Sequence, residues 1–314
     1  MLQYLVILLD DTSVSYCHYD YPQTERKLIS PDDLKAGIFF AMKQNLTIQF
    51  VYPDYELSEA YHALIESIDH HKVMLASYAT VDAKVLVFNL RDNIPETISD
   101  QTADTAYVVR TDKNGLFQGI EKLTTLLEKL NRINVALTDV DTFTEADFET
   151  YRQVLSRLAD ATTKQYAHGH FPQLNILTDR VMLNRMNNCN AGVENITLAP
   201  NGKFYICPAF YYENPLDTIG NPAEGIEIGN RQLYHIDYAS LCRRCDAYQC
   251  RRCVWLNRKT TLEVNTPSRE QCVTAHIERN AGREWLKEVA DRFPEKEIAE
   301  IHYVDPFDII ENHQ

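Results

Sequence analysis

Cysteine is the residue type whose distribution in this chain points to chemistry. Seven of the eight cysteines fall between Cys189 and Cys272, and the first 188 residues contain only Cys17. The spacing is Cys189, twelve residues, Gly202, four residues, Cys207, then Cys242-x2-Cys245-x4-Cys250-x2-Cys253, then Cys272. A chain without a secretion signal seldom uses such a cluster for disulfides, so the cysteines predict metal binding.

The number and spacing of the thiols favour one class of metal site over the other. Seven thiolates supply one four-ligand site and three ligands of a second. Two C-x2-C pairs only four residues apart are too close for two independent zinc knuckles, although one tetrathiolate zinc site is possible. With three further cysteines present, the pattern predicts two iron–sulfur clusters, of the 4Fe-4S type. Zinc is the alternative metal, and a set of structural free thiols is the remaining one.

The residues around these cysteines resemble a known domain. The segments 189–192 (CNAG), 198–208 (LAPNGKFYICP) and 219–221 (IGN), the four-cysteine block and the single downstream cysteine are similar to the SPASM domain. That domain is the C-terminal extension of radical-SAM peptide-modifying enzymes and carries auxiliary four-iron clusters. Its usual block is C-x2-C-x5-C-x3-C, and this chain is one residue shorter in each of the last two gaps, which puts the loop geometry in doubt.

The resemblance implies two ligand sets. One comprises Cys242, Cys245, Cys250 and Cys272, and the other comprises Cys189, Cys207 and Cys253, since the last cysteine of the block crosses over to the first cluster in that family. The second set lacks one ligand, which could be a cysteine of a bound peptide, Cys17, a histidine, a carboxylate or water. The interleaved arginines could neutralise cluster charge or lie solvated at the surface: Arg243, Arg244, Arg251 and Arg252.

The front half resembles a degenerate radical-SAM barrel. That barrel needs C-x3-C-x2-C after its first strand, and here the three positions fall on Asp10, Val14 and Cys17. The G-G-E-P segment that follows the second strand in the family is replaced by residues 51–54 (VYPD). We therefore expect no radical-SAM cluster and no S-adenosylmethionine (SAM). Among families with this combination, the chain most resembles the CXXX repeat peptide maturase group.

The elements that must position these residues are those of an α/β fold. Apolar runs predict strands at 4–9, 46–51, 84–88, 106–109, 133–137 and 174–177. Helical patterns lie near 57–68, 116–130, 145–159 and 268–293, and a helix capped by Ser30 places Leu34, Ile38, Phe39 and Met42 on one face. Periodicity alone leaves a doubly wound sheet or a full or partial barrel open, and the resemblance implies a partial (β/α) barrel of radical-SAM type.

The predicted domains are the barrel at 1–186, a small cysteine-rich SPASM-type domain at 187–293, and an acidic tail at 294–314. The chain has 314 residues and a formal charge of −14, which disfavours nonspecific binding to nucleic acid. It has no apolar run long enough for a membrane span. The apolar run at 4–9 lacks the basic start of a signal peptide, so we expect a cytoplasmic protein. Neither G-x-G-x-x-G nor a P-loop is present.

Three functions compete at this stage. The first is maturation of a cysteine-containing ribosomally made peptide with auxiliary clusters, and the second is a noncatalytic peptide-binding or electron-transfer partner of another modification protein. The third is a zinc-stabilised scaffold. No catalytic residue is identified. His70-His71 and His168-Gly169-His170 lack a third ligand at a set spacing, so we expect ordinary loop or surface histidines. Cys17 beside His18 lies where α/β barrels place catalytic loops, but no sequence feature indicates a lowered thiol pKa, so a buried inert thiol is the favoured interpretation.

Overall fold

The computed structural model describes residues 2–20, 26–80, 82–93, 98, 105–180, 183, 186 and 188–294. The strands are β1 (Tyr4–Leu8), β2 (Thr47–Val51), β3 (His70–Leu75), β4 (Val85–Asn89), β5 (Ala106–Thr111), β6 (Arg132–Leu137), β7 (Gln173–Leu174), β8 (Asn195–Leu198), β9 (Phe204–Tyr205), β10 (Gly220–Asn221) and β11 (Gly225–Ile226). The helices are α1 (Pro31–Gln44), α2 (Glu59–Ile65), α3 (Lys113–Gln118), α4 (Ile120–Leu127), α5 (Glu145–Ala167), α6 (Pro208–Glu213), α7 (Val254–Thr261) and α8 (Arg269–Arg292).

All these strands belong to one sheet, in the order β11-β10-β9-β8-β1-β2-β3-β4-β5-β6-β7. From β1 to β7 the order in space follows the order in the chain, and every pair is parallel. A doubly wound sheet would reverse its strand order at a switch point, whereas sequential order is the winding of a (β/α) barrel. The expected partial barrel is therefore confirmed.

The two faces of the sheet build two apolar clusters. In β1, Leu5 and Ile7 pack in the cluster that the helices cover, while Val6 and Leu8 pack in a second cluster on the other face. This second cluster takes small side chains from the other strands: Val51, Val73, Val85, Val87, Val108 and Ala136. The alternation follows from the two-residue period of a strand and fills the interior of the partial barrel.

Helix α1 begins as the sequence predicts, with Ser30 as N-cap and Pro31 in the first turn. Its buried face was predicted wrongly in part, because Phe39 and Met42 are 67% and 56% exposed. Gly37 faces the sheet instead, and a Cβ added there would clash with Leu198 Cδ2. The missing side chain lets α1 approach β8 closely. The helix therefore packs on β8, which belongs to the second half of the chain, as well as on β1.

Two connections tie the cysteine-rich half to the barrel. Strand β8 pairs in parallel with β1 and antiparallel with β9, so the hairpin extends the sheet of the barrel. On the other side α8 packs against α5, where the rings of Trp285 and Tyr166 meet edge to face at 5.2 Å. The Tyr151 hydroxyl also donates to Glu278 Oε1 at 2.7 Å across these helices.

The predicted strands are confirmed with small changes at their ends except for the one at 174–177, where the strand is Gln173–Leu174 and residues 175–177 form a turn. Strand β3 was missed, because it opens with His70, His71 and Lys72 and lacks an apolar run. The predicted helix at 116–130 is divided at Gly119, where a Cβ would lie 2.6 Å from the Gly115 carbonyl oxygen. Residue 187 and all but the first residue of the tail at 294–314 lie outside the described residues, so the domain boundaries stay predictions. No helix in the described part of the chain is long and apolar enough to cross a membrane.

Candidate metal centre

The loop that follows β1 lies across the C-terminal ends of the barrel strands. The Asp10 carboxylate accepts hydrogen bonds from the backbone N and hydroxyl of Thr12, both at 2.8 Å, and from the Tyr55 hydroxyl at 2.8 Å. The Ser13 hydroxyl donates to the Val51 carbonyl at 2.7 Å, and Val14 is buried. The positions that correspond to the first two cysteines of the radical-SAM motif, Asp10 and Val14, are thus held in place by the loop itself.

Arg110, at the end of β5, fixes the part of this loop that carries Cys17. Its Nε donates to the Cys17 carbonyl at 3.2 Å, and its Nη2 donates to the Tyr19 carbonyl at 2.7 Å and to Asp20 Oδ1 at 2.6 Å. The guanidinium is buried. Sequence reasoning missed Arg110, although a charged side chain near the end of a buried strand was the available signal.

The hairpin β8–β9 and α6 bring Cys207 to the same loop. Cys207 is the N-cap of α6. The Tyr211 hydroxyl donates to Asp11 Oδ1 at 2.6 Å, and the Tyr212 ring stacks on that of Tyr19 with 5.6 Å between ring centroids. The segment after Cys207 is therefore docked on the segment around Cys17.

Four thiols surround this junction, and we call them the mouth group: Cys17, Cys189, Cys207 and Cys253. Burial raises the pKa of the Cys207 thiol, and the nearby thiols of Cys253 and Cys17 raise it further. Burial likewise raises the pKa of Tyr16, which lies within electrostatic range of Cys17, Cys207 and Cys189. Cys17, Cys189 and Cys207 also pack on one apolar cluster.

A second set of thiols lies beside α8, and we call it the α8 group: Cys242, Cys245 and Cys272. Burial raises the pKa of the Cys272 thiol to about 11, and the thiols of Cys242 and Cys245 add to the shift. Cys245 Sγ lies 3.4 Å from His276 Nε2. His276 is one helical turn beyond Cys272 on α8, and no spacing signal in the sequence points to it.

Arg252 lies between the two groups. It is buried, its φ is 23°, and its Nη1 donates to the Tyr234 carbonyl at 2.9 Å. It hydrogen-bonds to Cys242 and interacts electrostatically with Cys189 and Cys250. Arg243 and Arg244 are exposed. Arg243 and Arg244 thus lie at the surface, and Arg252 lies beside the thiols; neutralisation of cluster charge by Arg252 stays a prediction.

The candidate ligands are thiols, which both iron–sulfur clusters and structural zinc bind. Among the described residues, no three His, Cys, Asp or Glu side chains converge where one metal ion could be held. A cluster holds its thiolate ligands further apart than one ion does, and it is tuned by hydrogen bonds to sulfur. Such donors are present, since the backbone N of Ala247 lies 3.4 Å from Cys245 Sγ and that of Leu256 lies 3.5 Å from Cys253 Sγ. The assignment of each cysteine to a cluster stays a prediction.

A cavity of about 60 Å³ opens between the barrel mouth and α8. Its wall includes two of the block cysteines, Cys250 and Cys253, together with polar side chains from four parts of the chain: His18, Asn175, Arg251 and Glu278. Asn175 and Glu278 were not singled out from the sequence, because neither belongs to a spaced motif. The cavity lies at the C-terminal end of the strands, where barrel enzymes bind their substrates.

His18 is a neutral imidazole in this wall. Burial lowers its pKa to about 4, and the positive charges of Arg251 and Arg110 act in the same direction. Its Nδ1 lies 2.6 Å from the Leu137 carbonyl oxygen, which fixes Nδ1 as the protonated nitrogen. Nε2 then carries a lone pair and can accept a proton or a hydrogen bond.

Two of the histidines weighed as ligands bond to the backbone elsewhere in the fold. His70 Nδ1 lies 2.7 Å from the Ile68 carbonyl oxygen at the start of β3, and His168 Nδ1 lies 2.8 Å from the Lys164 carbonyl oxygen at the end of α5. Each of these two rings therefore hydrogen-bonds to the backbone of its own segment.

Comparison with known proteins gives structural matches only. No protein-family model matches the chain, and no curated protein matches it. A polyhistidine-tagged anSMEcpe with bound AdoMet, an anaerobic sulfatase-maturating enzyme, superposes with a TM-score of 0.63 at 11% identity, over 93% of this chain and 96% of that chain. Native anSMEcpe with bound AdoMet and Cp18Cys peptide gives 0.61 at 10% identity, over 93% and 100%. At this identity the likeness shows the fold alone, a partial (β/α) barrel.

The comparison corrects one expectation. The expectation that SAM plays no part is wrong, since the solved structures that share this fold hold AdoMet. The expectation rested on a missing cysteine motif, and that motif supplies only the iron-bound side of such a site. The rest of a ligand site in a barrel comes from the ends of several strands, which this fold retains.

Proposed function

We propose that this protein takes part in the maturation of a cysteine-containing, ribosomally made peptide, with two auxiliary iron–sulfur clusters held by its cysteines. The observation that carries the proposal is the gathering of the mouth group and the α8 group on either side of Arg252, next to the cavity at the barrel mouth. The proposed ligands are the two sets implied by the SPASM resemblance: Cys189, Cys207 and Cys253, and Cys242, Cys245, Cys250 and Cys272.

The structural neighbours support a peptide as the substrate class. Two of them are described with bound peptides, Cp18Cys and Kp18Cys. The resemblance to CXXX repeat peptide maturases narrows the class to peptides that repeat cysteine. In the loop after β1 a single thiol, Cys17, stands where three are needed, so the proposal assigns no radical-SAM cluster to this chain.

The cavity supports chemistry on a polar peptide group. Neutral His18 offers an acceptor, Arg251 a cation and Glu278 a carboxylate on one wall. We expect the cavity to receive a side chain of the peptide, because about 60 Å³ has room for a few groups of water size.

The test uses full-length protein that is purified and reconstituted without oxygen. Iron, sulfide and zinc are measured first, and we expect roughly eight iron and eight sulfide per chain for two four-iron clusters. The protein is then incubated, with reductant and AdoMet, with a peptide that repeats cysteine every fourth residue and with its serine analogue. A mass change in the cysteine peptide alone supports the proposal. Stoichiometric zinc without iron overturns it.

A second candidate is a noncatalytic role, as a peptide-binding or electron-transfer partner of another modification protein. The burial of Tyr16 and Tyr19 inside the barrel favours it, because these rings fill part of the interior that a substrate would otherwise use. Cluster-loaded protein that binds the cysteine peptide without a mass change supports this candidate over catalysis by the chain alone.

A further inference from the structure

We propose that Cys17 is the fourth thiolate ligand of the cluster bound by Cys189, Cys207 and Cys253. This inference rests on the proposed function in one respect, the presence of a cluster at the mouth group. It selects Cys17, a residue of the barrel, from the fourth ligands that the sequence leaves open: a peptide cysteine, Cys17, a histidine, a carboxylate or water.

The first support is the fixed position of the Cys17 backbone. The loop from 10 to 20 bonds to two strand ends, through Ser13 to Val51 and through Arg110 to the carbonyls of Cys17 and Tyr19. The backbone N of Val14 adds a bond to the Tyr52 carbonyl at 2.9 Å. A ligand residue needs such a held backbone, because a cluster requires its thiolates in one geometry.

The second support is the convergence of the other three thiols on Cys17. Cys189 and Cys207 pack on the same apolar cluster as Cys17. The thiols of Cys17 and Cys207 interact electrostatically. His18, the next residue, lines the same cavity wall as Cys253. Cys17, Cys189 and Cys207 thus pack on one apolar cluster, and Cys253 lies within electrostatic range of Cys207 and on the cavity wall that His18 also lines.

The third support is that the neighbouring carboxylates already accept hydrogen bonds and that a thiolate is preferred to an imidazole. The carboxylate of Asp11 accepts from the Tyr211 hydroxyl at 2.6 Å, and that of Asp10 accepts from Thr12 and Tyr55. The Nδ1 atom of His18 is bound to the Leu137 carbonyl, so only its Nε2 atom could bind iron. Thiolate is also the ligand that iron–sulfur clusters take by preference. Cys17 therefore fits the fourth position better than a histidine or a carboxylate of the chain.

This assignment changes what the mouth group can do. A cluster with four protein thiolates has no iron position left for a thiol of the peptide. It also joins the barrel to the cysteine-rich half, since Cys17 precedes α1 and the other three ligands follow residue 188. We expect this cluster to store electrons and to stabilise the contact between the barrel and the cysteine-rich half. The thiol of the peptide would then lie in the cavity and would not bind this cluster.

The experiment compares full-length wild type, Cys17→Ser, Cys17→Ala and the matched control Tyr16→Phe, which alters the neighbouring residue but leaves every thiol. All are reconstituted without oxygen, and iron, sulfide and the EPR spectrum of the reduced clusters are recorded. In Cys17→Ala we expect up to about half of the iron to be lost. In Cys17→Ser we expect the signal of one cluster to shift, and Tyr16→Phe keeps the wild-type spectrum.

Chemical labelling of the wild-type protein gives a second test that does not require the variants to fold. Alkylation with iodoacetamide, read by mass spectrometry, is compared between cluster-loaded protein and protein treated with a chelator. We expect Cys17 to be protected only while the cluster is present. Equal labelling of Cys17 in both states, with two full clusters and an unchanged spectrum in Cys17→Ser, overturns the inference and leaves the proposed function standing. A wild-type chain that takes up no iron overturns both.

Discussion

At the scale of single residues, the side chain of Arg252 interacts with thiols of both the mouth group and the α8 group. Its guanidinium is buried, and the groups within its electrostatic reach include the thiols of Cys242, Cys189 and Cys250. A buried cation is costly unless an opposite charge faces it. Thiolates bound to a cluster supply that charge, so we expect Arg252 to stabilise the reduced, more negative form of the clusters.

We predict that Arg252→Gln lowers the reduction potential of at least one cluster, because a positive charge next to the sulfurs is removed. A redox titration followed by EPR measures the shift. Arg252→Lys keeps the charge and is expected to retain most of the wild-type potential. Equal potentials for Arg252→Gln and wild type would show that the guanidinium is only a structural donor to the Tyr234 carbonyl.

At the scale of elements, Asp147 connects α3 to α5. It closes the capping box of α5 with Thr144, and its Oδ2 accepts from Lys113 Nζ at 2.8 Å. The hydrogen bond from Lys113 lowers the pKa of the Asp147 carboxyl from 3.8 to about 2, with help from the backbone N of Thr144. A lowered pKa means that the folded state binds the proton less readily than the unfolded chain.

We therefore predict a pH-dependent effect of Asp147→Asn. The carboxylate contributes its stability in full above the unfolded pKa of 3.8, and this contribution is lost as the pH falls through about 2. At pH 7 the variant should unfold with a free energy about 1 kcal/mol lower than wild type. Urea unfolding of both proteins between pH 7 and pH 2 gives the comparison, and a difference that stays constant down to pH 2 contradicts the assignment.

Local sequence signals predict some elements and site residues of this structure and miss others. The order of the cysteines and the helix cap at Ser30 are local signals, and each could be identified without the fold. Strand β3 could not, because its position between β2 and β4 compensates for a polar start. Likewise the roles of Arg110 and Glu278 depend on partners distant in sequence, which no local pattern encodes.

At the scale of the whole molecule, α8 fastens the cysteine-rich half to the barrel. Trp285 is 1% exposed, and its ring packs edge to face on Tyr166 of α5. We predict that Trp285→Ala lowers the free energy of unfolding by roughly 3–5 kcal/mol, through the cavity it leaves. Trp285→Phe keeps an aromatic ring and should cost less than half as much. Denaturant unfolding of the three proteins measures the order, and equal losses in both variants would refute it.

The segment between α6 and α7 has little regular structure of its own. Strands β10 and β11 are two residues long, and much of the remainder consists of short 3-10 turns, among them Arg231–Tyr234 and Cys242–Arg244. Such a segment buries few apolar side chains, so metal binding should supply a large part of its folding free energy. The parallel core from β2 to β6 has its own apolar layers on both faces and does not depend on the thiols.

We predict that removal of iron leaves β2 to β6 folded and loosens the segment from 219 to 253. Hydrogen exchange of cluster-loaded and chelated protein, read by mass spectrometry, tests this. We expect roughly tenfold faster exchange in the segment after iron loss, and little change in the core strands. Helix α8 should keep its protection, because Trp285 and Glu278 bind it to α5 without the metal. Uniformly faster exchange along the chain would contradict the prediction, since the metal would then hold the whole fold together.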